Sequence, residues 1–535
     1  MDTKLLNRLP IGTSGFEKIR DGMIYVDKTA LIYPIASQKS SFLLIRPRRF
    51  GKSLLVNTLK SLFSKGLVDF EGLAIEKLWE DKTYPVCHLD FSTIKAFGSS
   101  EEFSRKFTSF LQAGFMPVGF KFDSESTVSI FDQLSLWMKS LPASSLVILV
   151  DEYDAPLTAH LDEPEAFKEI RERLSSFYAT IKGNENALRF FCMTGITKFK
   201  SAGIFSELNN ITDITMSPQF GELLGLTRRE IETYFAPYVS NASEILGISF
   251  DEVMDRLERH YDGYVFERSC QHRVFAPWSV LNFLSDPASG FLNYWYESAG
   301  QPTVLLKYLS DHGLVNPSYY AEPKMVSLSM LNASQVFEKM QRETLLTQTG
   351  YLTLKKVLSN GMCLLGYPNE EVAQSMAQLF AEAMLESAPF VMARMSELPR
   401  KLASGNVGDV VEYLNAAFKS ISYQNYPVKS EATCAMCVQI LFIGASLVPA
   451  VEVQNAYGRS DLEVTSEKRH WVFEFKFLPK DVENQAKGAE ELLAVALSQI
   501  HSKHYGEQRA TGRELKRAAL VFSEKSRCFV RWAEA

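Results

Sequence analysis

No stretch of this chain is apolar enough to cross a bilayer. The longest apolar region, Val438 to Val453, is interrupted by Gln439, Ser446 and Pro449 and is too short for a span. The N-terminal residues, Met1 to Pro10, lack the apolar core of a secretion signal. Cysteine is sparse: Cys87, Cys192, Cys270, Cys363, Cys434, Cys437 and Cys528 are scattered and odd in number, which suits a reduced cytoplasmic protein better than a disulfide framework. Positive charge is not in excess. The net charge of −6 excludes a uniformly basic coat for nucleic acid but leaves room for local basic patches. Internal repeats, low-complexity tracts and long Gly/Ser/Pro linkers are also lacking. These absences give the expectation of a soluble cytoplasmic protein with no membrane partner.

What is present is a long, ordinary globular composition: 535 residues, 46% apolar and 22% charged. That length exceeds one hydrophobic core and calls for several domains. Residues 1–235 alternate short apolar strand runs (Phe42–Ile45, Val86–Leu89, Leu146–Val150, Leu188–Met193) with helical patterns such as Glu165 to Ile181. This is the pattern of a parallel sheet covered on both faces. Residues 236–340 read as a helical second domain, with a winged-helix variant left open. It is approached by a helix that starts at Thr227 with Glu230 three residues on. Residues 341–400 read as a connecting region. Residues 401–535 form a further α/β domain, with a helix near Glu431 to Gly444, three strand runs and a helix from about 484 to 504.

Two stretches carry chemistry. In "FLLIRPRRFGKSLL", Phe42 to Leu55, a strand ends at Ile45 and an amphipathic helix starts near Ser53. Gly51-Lys52-Ser53 therefore sits at a strand–loop–helix junction, where helix N–H groups and the helix dipole favour a phosphate. Lys52 is placed to reach the β- and γ-phosphates and Ser53 to hold Mg²⁺. The first glycine of a phosphate loop is replaced by Arg46. Pro47 fixes part of the turn, and Arg46, Arg48 and Arg49 add positive charge. "LVILVDEYDAP" delivers Asp151 at the end of a buried strand, suited to Mg²⁺, with Glu152 next to polarise the attacking water. An exposed acidic turn is the plainer reading of that stretch taken alone. "RFFCMTGIT" ends a strand at Thr194, either to sense the γ-phosphate or hold water, or simply to cap.

The second stretch is "HWVFEFKF", His470 to Phe477. Trp471, Phe473, Phe475 and Phe477 fall on one strand face, and Val472, Glu474 and Lys476 on the other. Before it, "GRSDLEV" places Asp461 and Glu463 on one face. A turn at 466–469 makes a hairpin that lets Asp461 and Glu474 meet with Lys476 nearby. Two carboxylates and a lysine suit a divalent ion and an activated water for phosphodiester attack; a cross-strand ion pair on an exposed sheet face is the alternative. Glu452 and Glu431 are candidates to complete the acidic cluster, and Gln499 lies on the following helix. Cys434 and Cys437 read as core packing. His501 and His504 have no evident third ligand. The basic residues Lys516, Arg517, Arg527 and Arg531 read as a solvated surface.

Through these residues and their neighbours, the chain resembles a prokaryotic AAA-ATPase-like family fused to a C-terminal PD-(D/E)XK nuclease-like domain. The matching stretches are "YVDKT" (Tyr25–Thr29), "RPRRFGKS" (Arg46–Ser53), "YPVCHLDFS" (Tyr84–Ser92), "VDEYDAP" (Val150–Pro156), "TGITKF" (Thr194–Phe199), "NNITDIT" (Asn209–Thr215), "YDGY" (Tyr261–Tyr264), "QTGYLT" (Gln348–Thr353) and "GYPNEEV" (Gly366–Val372). The resemblance implies that the arginine at 46 is the family's usual form, and the chain departs from the pattern at Ala276, where asparagine is usual. It implies an α/β fold: a P-loop AAA-like parallel-sheet domain, a helical second domain and a C-terminal restriction-endonuclease-like domain. The implied cofactors are ATP and Mg²⁺. Arg49, Gly51, Lys52, Ser53, Asp151 and Thr194 would serve the nucleotide and its metal, Glu152 hydrolysis, and Asp461, Glu474 and Lys476 with Glu452 the nuclease chemistry. Nucleic acid, DNA first, is the implied partner, and self-association into a homo-oligomer is left open. The rival reading is a nucleotide-dependent switch whose last domain binds nucleic acid or protein without cleaving it.

Overall fold

The computed structural model describes residues 7–161, 163–198, 210–298, 305, 317–320, 322–332, 341–384, 397–421, 423, 427–445, 447, 449–455, 457–466, 468–507, 509–510 and 512–535. The chain divides into two compact units, Met1–Gly313 with Tyr320–Val372, and Leu314–Tyr319 with Ala373–Ala535. The divisions expected at 235 and 340 both fall inside the first unit.

The first unit is built on five parallel strands: β1 (Ser41–Ile45), β2 (Val86–Asp90), β3 (Leu146–Asp151), β4 (Leu188–Gly195) and β5 (Ile211–Asp213), in the order β2-β3-β4-β1-β5. All six residues of β3 are buried, as its unbroken apolar run requires of a strand covered on both faces. Four long helices connect or flank the strands: α1 (Lys52–Lys65), α2 (Ser100–Phe115), α3 (Ile130–Ser140) and α4 (Pro164–Gly183). Their starts follow local chemistry. Ser99 and Ser129 accept the N–H groups of Glu102 and Asp132, and Pro164 occupies the first turn of α4. The register places Asp90 beside Asp151 and Ile45 beside Gly195, so the strand ends form one polar rim.

A helical group follows: α5 (Arg228–Tyr234), α6 (Ala236–Leu246), α7 (Phe250–Tyr261) and α8 (Pro277–Ser285). The capping pair expected at Thr227 is present. Thr227 Oγ1 accepts from the Glu230 N–H at 3.2 Å, and Glu230 Oε2 accepts from the Thr227 N–H at 2.8 Å. Their core includes Ile231, Val239, Leu257, Tyr261 and Phe283. A small antiparallel sheet, in the order β6 (Lys324–Ser327), β8 (Met362–Gly366), β7 (Thr353–Val357), completes the unit.

The second unit contains α9 (Val407–Ser420) and α10 (Glu431–Gly444), then β9 (Ala450–Asn455), β10 (Gly458–Thr465), β11 (Arg469–Leu478), α11 (Gln485–Ser502), β12 (Glu514–Ser523) and β13 (Cys528–Glu534). The sheet order is β13-β12-β11-β10-β9, antiparallel except for the β11/β12 pair that α11 connects. Trp471, Phe473 and Phe475 pack in one core with α9 and α10, while Val472 and Ala519 pack in another with Ala496 and Ile500 of α11. Both faces of β11 are thus covered, so its Glu474 and Lys476 are not on an open sheet surface.

The minor features resolve by their partners. Cys434 and Cys437 are free, buried core residues. Lys516 pairs with Glu514 and Glu534, Arg517 with Glu507, and Arg527 stacks over Tyr423. Among the described residues, no helix is long and apolar enough to cross a membrane.

Candidate active sites

The loop from β1 to α1 turns on left-handed residues. Gly51 has φ 91° and precedes α1 directly, and Arg49 has φ 69°. A Cβ at Gly51 would meet nothing within 4 Å, so glycine is needed there for backbone conformation rather than for space. Arg46 does not line the cavity that Arg48 and Arg49 line. It is fully buried and donates to the carbonyls of Ile45 (2.9 Å), Thr215 (2.7 Å) and Phe220 (3.2 Å), with its guanidinium 4.5 Å from the Phe266 ring. The position of the missing glycine is therefore a buried tie that anchors the loop to the chain after β5. Arg49 instead lies over Trp278 at 4.2 Å, at the start of α8.

Lys52 is 5% exposed and folds back on its own loop, donating to the carbonyls of Arg46 (3.0 Å) and Pro47 (2.9 Å). Burial pulls its pKa down, and the negative charge of Asp151, Glu152 and Asp154 opposes that pull. Asp151 ends β3, and its Oδ1 accepts from Thr194 Oγ1 at 2.5 Å. Thr194 is thus one layer behind Asp151 and holds it in place. Glu152 has φ 49°, and burial, with Asp151 and Asp154 adding to it against Lys52, raises its carboxyl pKa. Arg48, Arg49, Gly51, Lys52, Ser53 and Glu152 line one cavity of about 600 Å³, whose lining also includes the apolar Ile24, Val26, Leu224, Leu226, Pro277 and Leu281.

In the second unit, the β10/β11 register pairs Leu462 with Phe473 and so sets Asp461 across from Glu474. Asp461 Oδ2 accepts from the Phe475 N–H at 2.7 Å. Lys476 Nζ donates to Glu474 Oε1 (3.0 Å) and to the Phe475 carbonyl (3.1 Å), and lies 3.6 Å from Glu431 at the start of α10. Glu474 is 3% exposed, and its Oε2 has no hydrogen-bond partner. Burial and the adjacent Asp461 charge push Glu474 up to about 7 against the opposing Lys476. Asp461 is also raised, by burial first. Burial lowers Lys476, but Glu474, Glu431 and Asp461 outweigh it and its pKa rises.

Glu463 does not join this group; its carboxylate is taken by His470 Nε2 (3.0 Å) and Ser460 Oγ (2.7 Å). Glu452 lies on β9 between Val451 and Val453, the partners of Leu462 and Ser460; its side chain is outside the described residues. Gln499 Oε1, on α11, is buried without a partner. Tyr505 gives no signal in the sequence. It is 1% exposed, and its hydroxyl pKa is raised by burial first and then by the Glu474 and Asp461 charges.

A parallel sheet ending in a Gly-Lys-Ser loop and an acidic strand end, with a separate mixed sheet bearing buried Asp, Glu and Lys, defines a two-part protein of nucleotide-binding and nuclease-like type. Residues 10–205 match the family described as "Predicted AAA-ATPase", and residues 429–532 match the PD-(D/E)XK nuclease superfamily. The chain is also 30% identical over 534 residues to a protein of Azotobacter chroococcum mcd 1 named "Uncharacterized protein in vnfD 5'region", covering 98% of each chain. The chain belongs to this family of predicted AAA-ATPases that carry a C-terminal PD-(D/E)XK nuclease-superfamily domain.

Proposed function

We propose that this chain binds and hydrolyses ATP in its first unit and that its second unit is a Mg²⁺-dependent nuclease, acting on DNA first among nucleic acids, in the cytoplasm of a prokaryotic cell. The observation that carries the reading is the buried Asp461–Glu474–Lys476 group, in which Glu474 Oε2 is left without a partner. A buried carboxylate oxygen is expensive to leave unpaired, by about 1–3 kcal/mol or more for a charged group. A divalent cation meets that need and offsets the Asp461–Glu474 repulsion, so the residues fit the metal. Asp461 and Glu474 would hold it, with Glu452 as a third candidate. The bound ion would lower the pKa of a water and stabilise the phosphodiester oxygens. Lys476 holds the Glu474 carboxylate in place and adds positive charge beside it.

In the first unit, Gly51, Lys52, Ser53 and Arg49 would receive the phosphates, and Ser53 with Asp151 the Mg²⁺. Thr194 acts as a positioning residue for Asp151. Glu152 takes the water's proton, and its raised pKa makes it a better base than an ordinary glutamate. Lys52 must leave the Arg46 and Pro47 carbonyls to meet a phosphate. ATP occupancy would regulate the nuclease.

The rival reading is a switch that binds without cleaving. The deciding experiment is single-turnover cleavage of DNA and RNA with and without ATP and Mg²⁺ or Mn²⁺. Metal-dependent cleavage lost in Asp461→Ala supports the nuclease. Binding without cleavage in every condition supports the switch. Light scattering with and without ATP reads the oligomeric state.

A further inference from the structure

The first unit holds a second cavity, of about 870 Å³, that shares no lining residue with the phosphate-loop cavity. It opens among α7, the residues after it and β7, and its volume is within the roughly 300–1,000 Å³ of small-molecule sites. Asp262, which follows α7 directly, lines it. Asp262 is 5% exposed, yet its Oδ1 has no hydrogen-bond partner. Its backbone is held firmly. Asn369 Nδ2 donates to the Asp262 carbonyl at 2.7 Å, and Gly263, at φ 93°, lies so close to the Pro368 carbonyl that a Cβ would be 2.3 Å away. Burial pushes the Asp262 carboxyl up to about 6. The fold thus fixes an acidic side chain in a buried place and leaves one of its oxygens unused.

The other charges facing the cavity sort into committed and uncommitted groups. The acids of α7 are committed elsewhere: Glu252 to Arg256 at 2.7 Å, and Asp255 and Glu258 to Arg228 at 3.2 and 2.7 Å. The cations are not. Arg259 has no ion pair among the described residues. Arg273 is 61% exposed at its side chain and reaches Glu258 only at 3.7 Å. Lys355 Nζ has only a long hydrogen bond, 3.3 Å, to the Pro368 carbonyl.

We propose that this cavity is a second ligand site, separate from the phosphate loop, for a nucleoside phosphate whose phosphate is received by Arg259, Arg273 and Lys355 and whose base donates an N–H to Asp262 Oδ1. Three cations exceed what a single carboxylate ligand needs and match a phosphate's oxygens. A bare anion does not suffice, because the orphaned acceptor requires a donor on the same ligand and repels negative charge. Asp262 and Gly263 of "YDGY" and Pro368 of "GYPNEEV" line the site, and none of the three takes part in the ATPase or nuclease chemistry.

The test uses the full chain carrying Lys52→Ala, which removes the main phosphate contact of the first cavity. Calorimetric titration with each of the four ribonucleoside 5′-monophosphates, and with inorganic phosphate, reads the second site alone. At least one nucleotide is expected to bind at one site per chain, at least about tenfold more tightly than inorganic phosphate. Arg273→Ala, at an exposed position that folding does not depend on, should weaken that nucleotide about tenfold or more. Asp262→Asn should reduce the preference among bases. The proposal is overturned if no nucleotide binds, if inorganic phosphate binds as tightly, or if Arg273→Ala leaves the affinity unchanged.

Discussion

Replacing Arg46 by glycine would restore the usual first residue of a phosphate loop, and on sequence grounds that change looks like a repair. The structure predicts the opposite. Arg46 supplies donors to three carbonyls, the buried ones of Ile45 and Phe220 and the partly buried one of Thr215. At about 1 kcal/mol for each lost hydrogen bond, truncation costs roughly 3 kcal/mol. A new glycine adds up to about 1 kcal/mol of backbone entropy. Burying the guanidinium is itself unfavourable, its pKa drawn down to about 9, so removing it returns part of the cost. A net loss of roughly 2–4 kcal/mol follows, equivalent to a fall of roughly 3–5 °C in the melting temperature of a unit of this size. Calorimetric melting of the full chain, with ATP titrations on the same variant, is the assay. The loop should lose its anchor to the chain after β5, so ATP binding should weaken as well. An Arg46→Gly chain that melts with the parent and binds ATP as well or better would refute the assignment of Arg46 as a structural tie.

Lys52→Ala should abolish ATP binding by calorimetry while moving the unliganded melting temperature little, because two lost hydrogen bonds are offset by the release of a buried charge. Glu152→Gln should keep ATP binding and lower turnover by about 10²–10⁴-fold in a phosphate-release assay, whereas Asp151→Asn should weaken the Mg²⁺-dependent part of binding. In the second unit, the folded protein binds more protons than the unfolded chain between the ordinary glutamate pKa and the value near 7 of Glu474. Metal-free stability should therefore fall as pH rises through that window, by roughly 1–2 kcal/mol after allowing for solvent screening. Mn²⁺ should restore it at pH 8, and melts that are flat from pH 5 to 8 would remove Glu474 from the account.

Local pattern made part of this molecule readable in advance. Strict alternation in His470–Phe477 put Glu474 and Lys476 on one face, and the hairpin brought Asp461 opposite them, because a strand's period of two leaves few other arrangements. The capping pair at Thr227 and the strand ends at Ile45 and Asp151 were legible for the same local reason. Arg46 was not: its partners are 169 and 174 residues away, and nothing in its neighbours' spacing encodes a carbonyl-lined slot. Glu463 shares the alternation of Asp461 but is claimed by His470, a choice made by side-chain reach rather than by pattern. The open sheet face of the alternative reading of Glu474 is covered because α11 returns across the sheet to β12, and crossovers of that kind are set by tertiary packing.

The loop that would hold ATP has its backing far down the chain. Phe50 packs on Tyr264, Phe266 and Trp295; Gly350 lies against Pro47; and the Lys198 N–H is received by Gln348. During synthesis, the loop leaves the ribosome roughly 300 residues before the last of these partners. At about 5–20 residues per second, that is an interval on the order of 15–60 s in which the nucleotide loop exists without its support. A fragment ended at residue 205 or 235 would remain in that state permanently. The Gly-Lys-Ser loop therefore matures late, as a product of the nearly complete first unit, and an expression boundary drawn at the end of the five-stranded sheet would cut away its support.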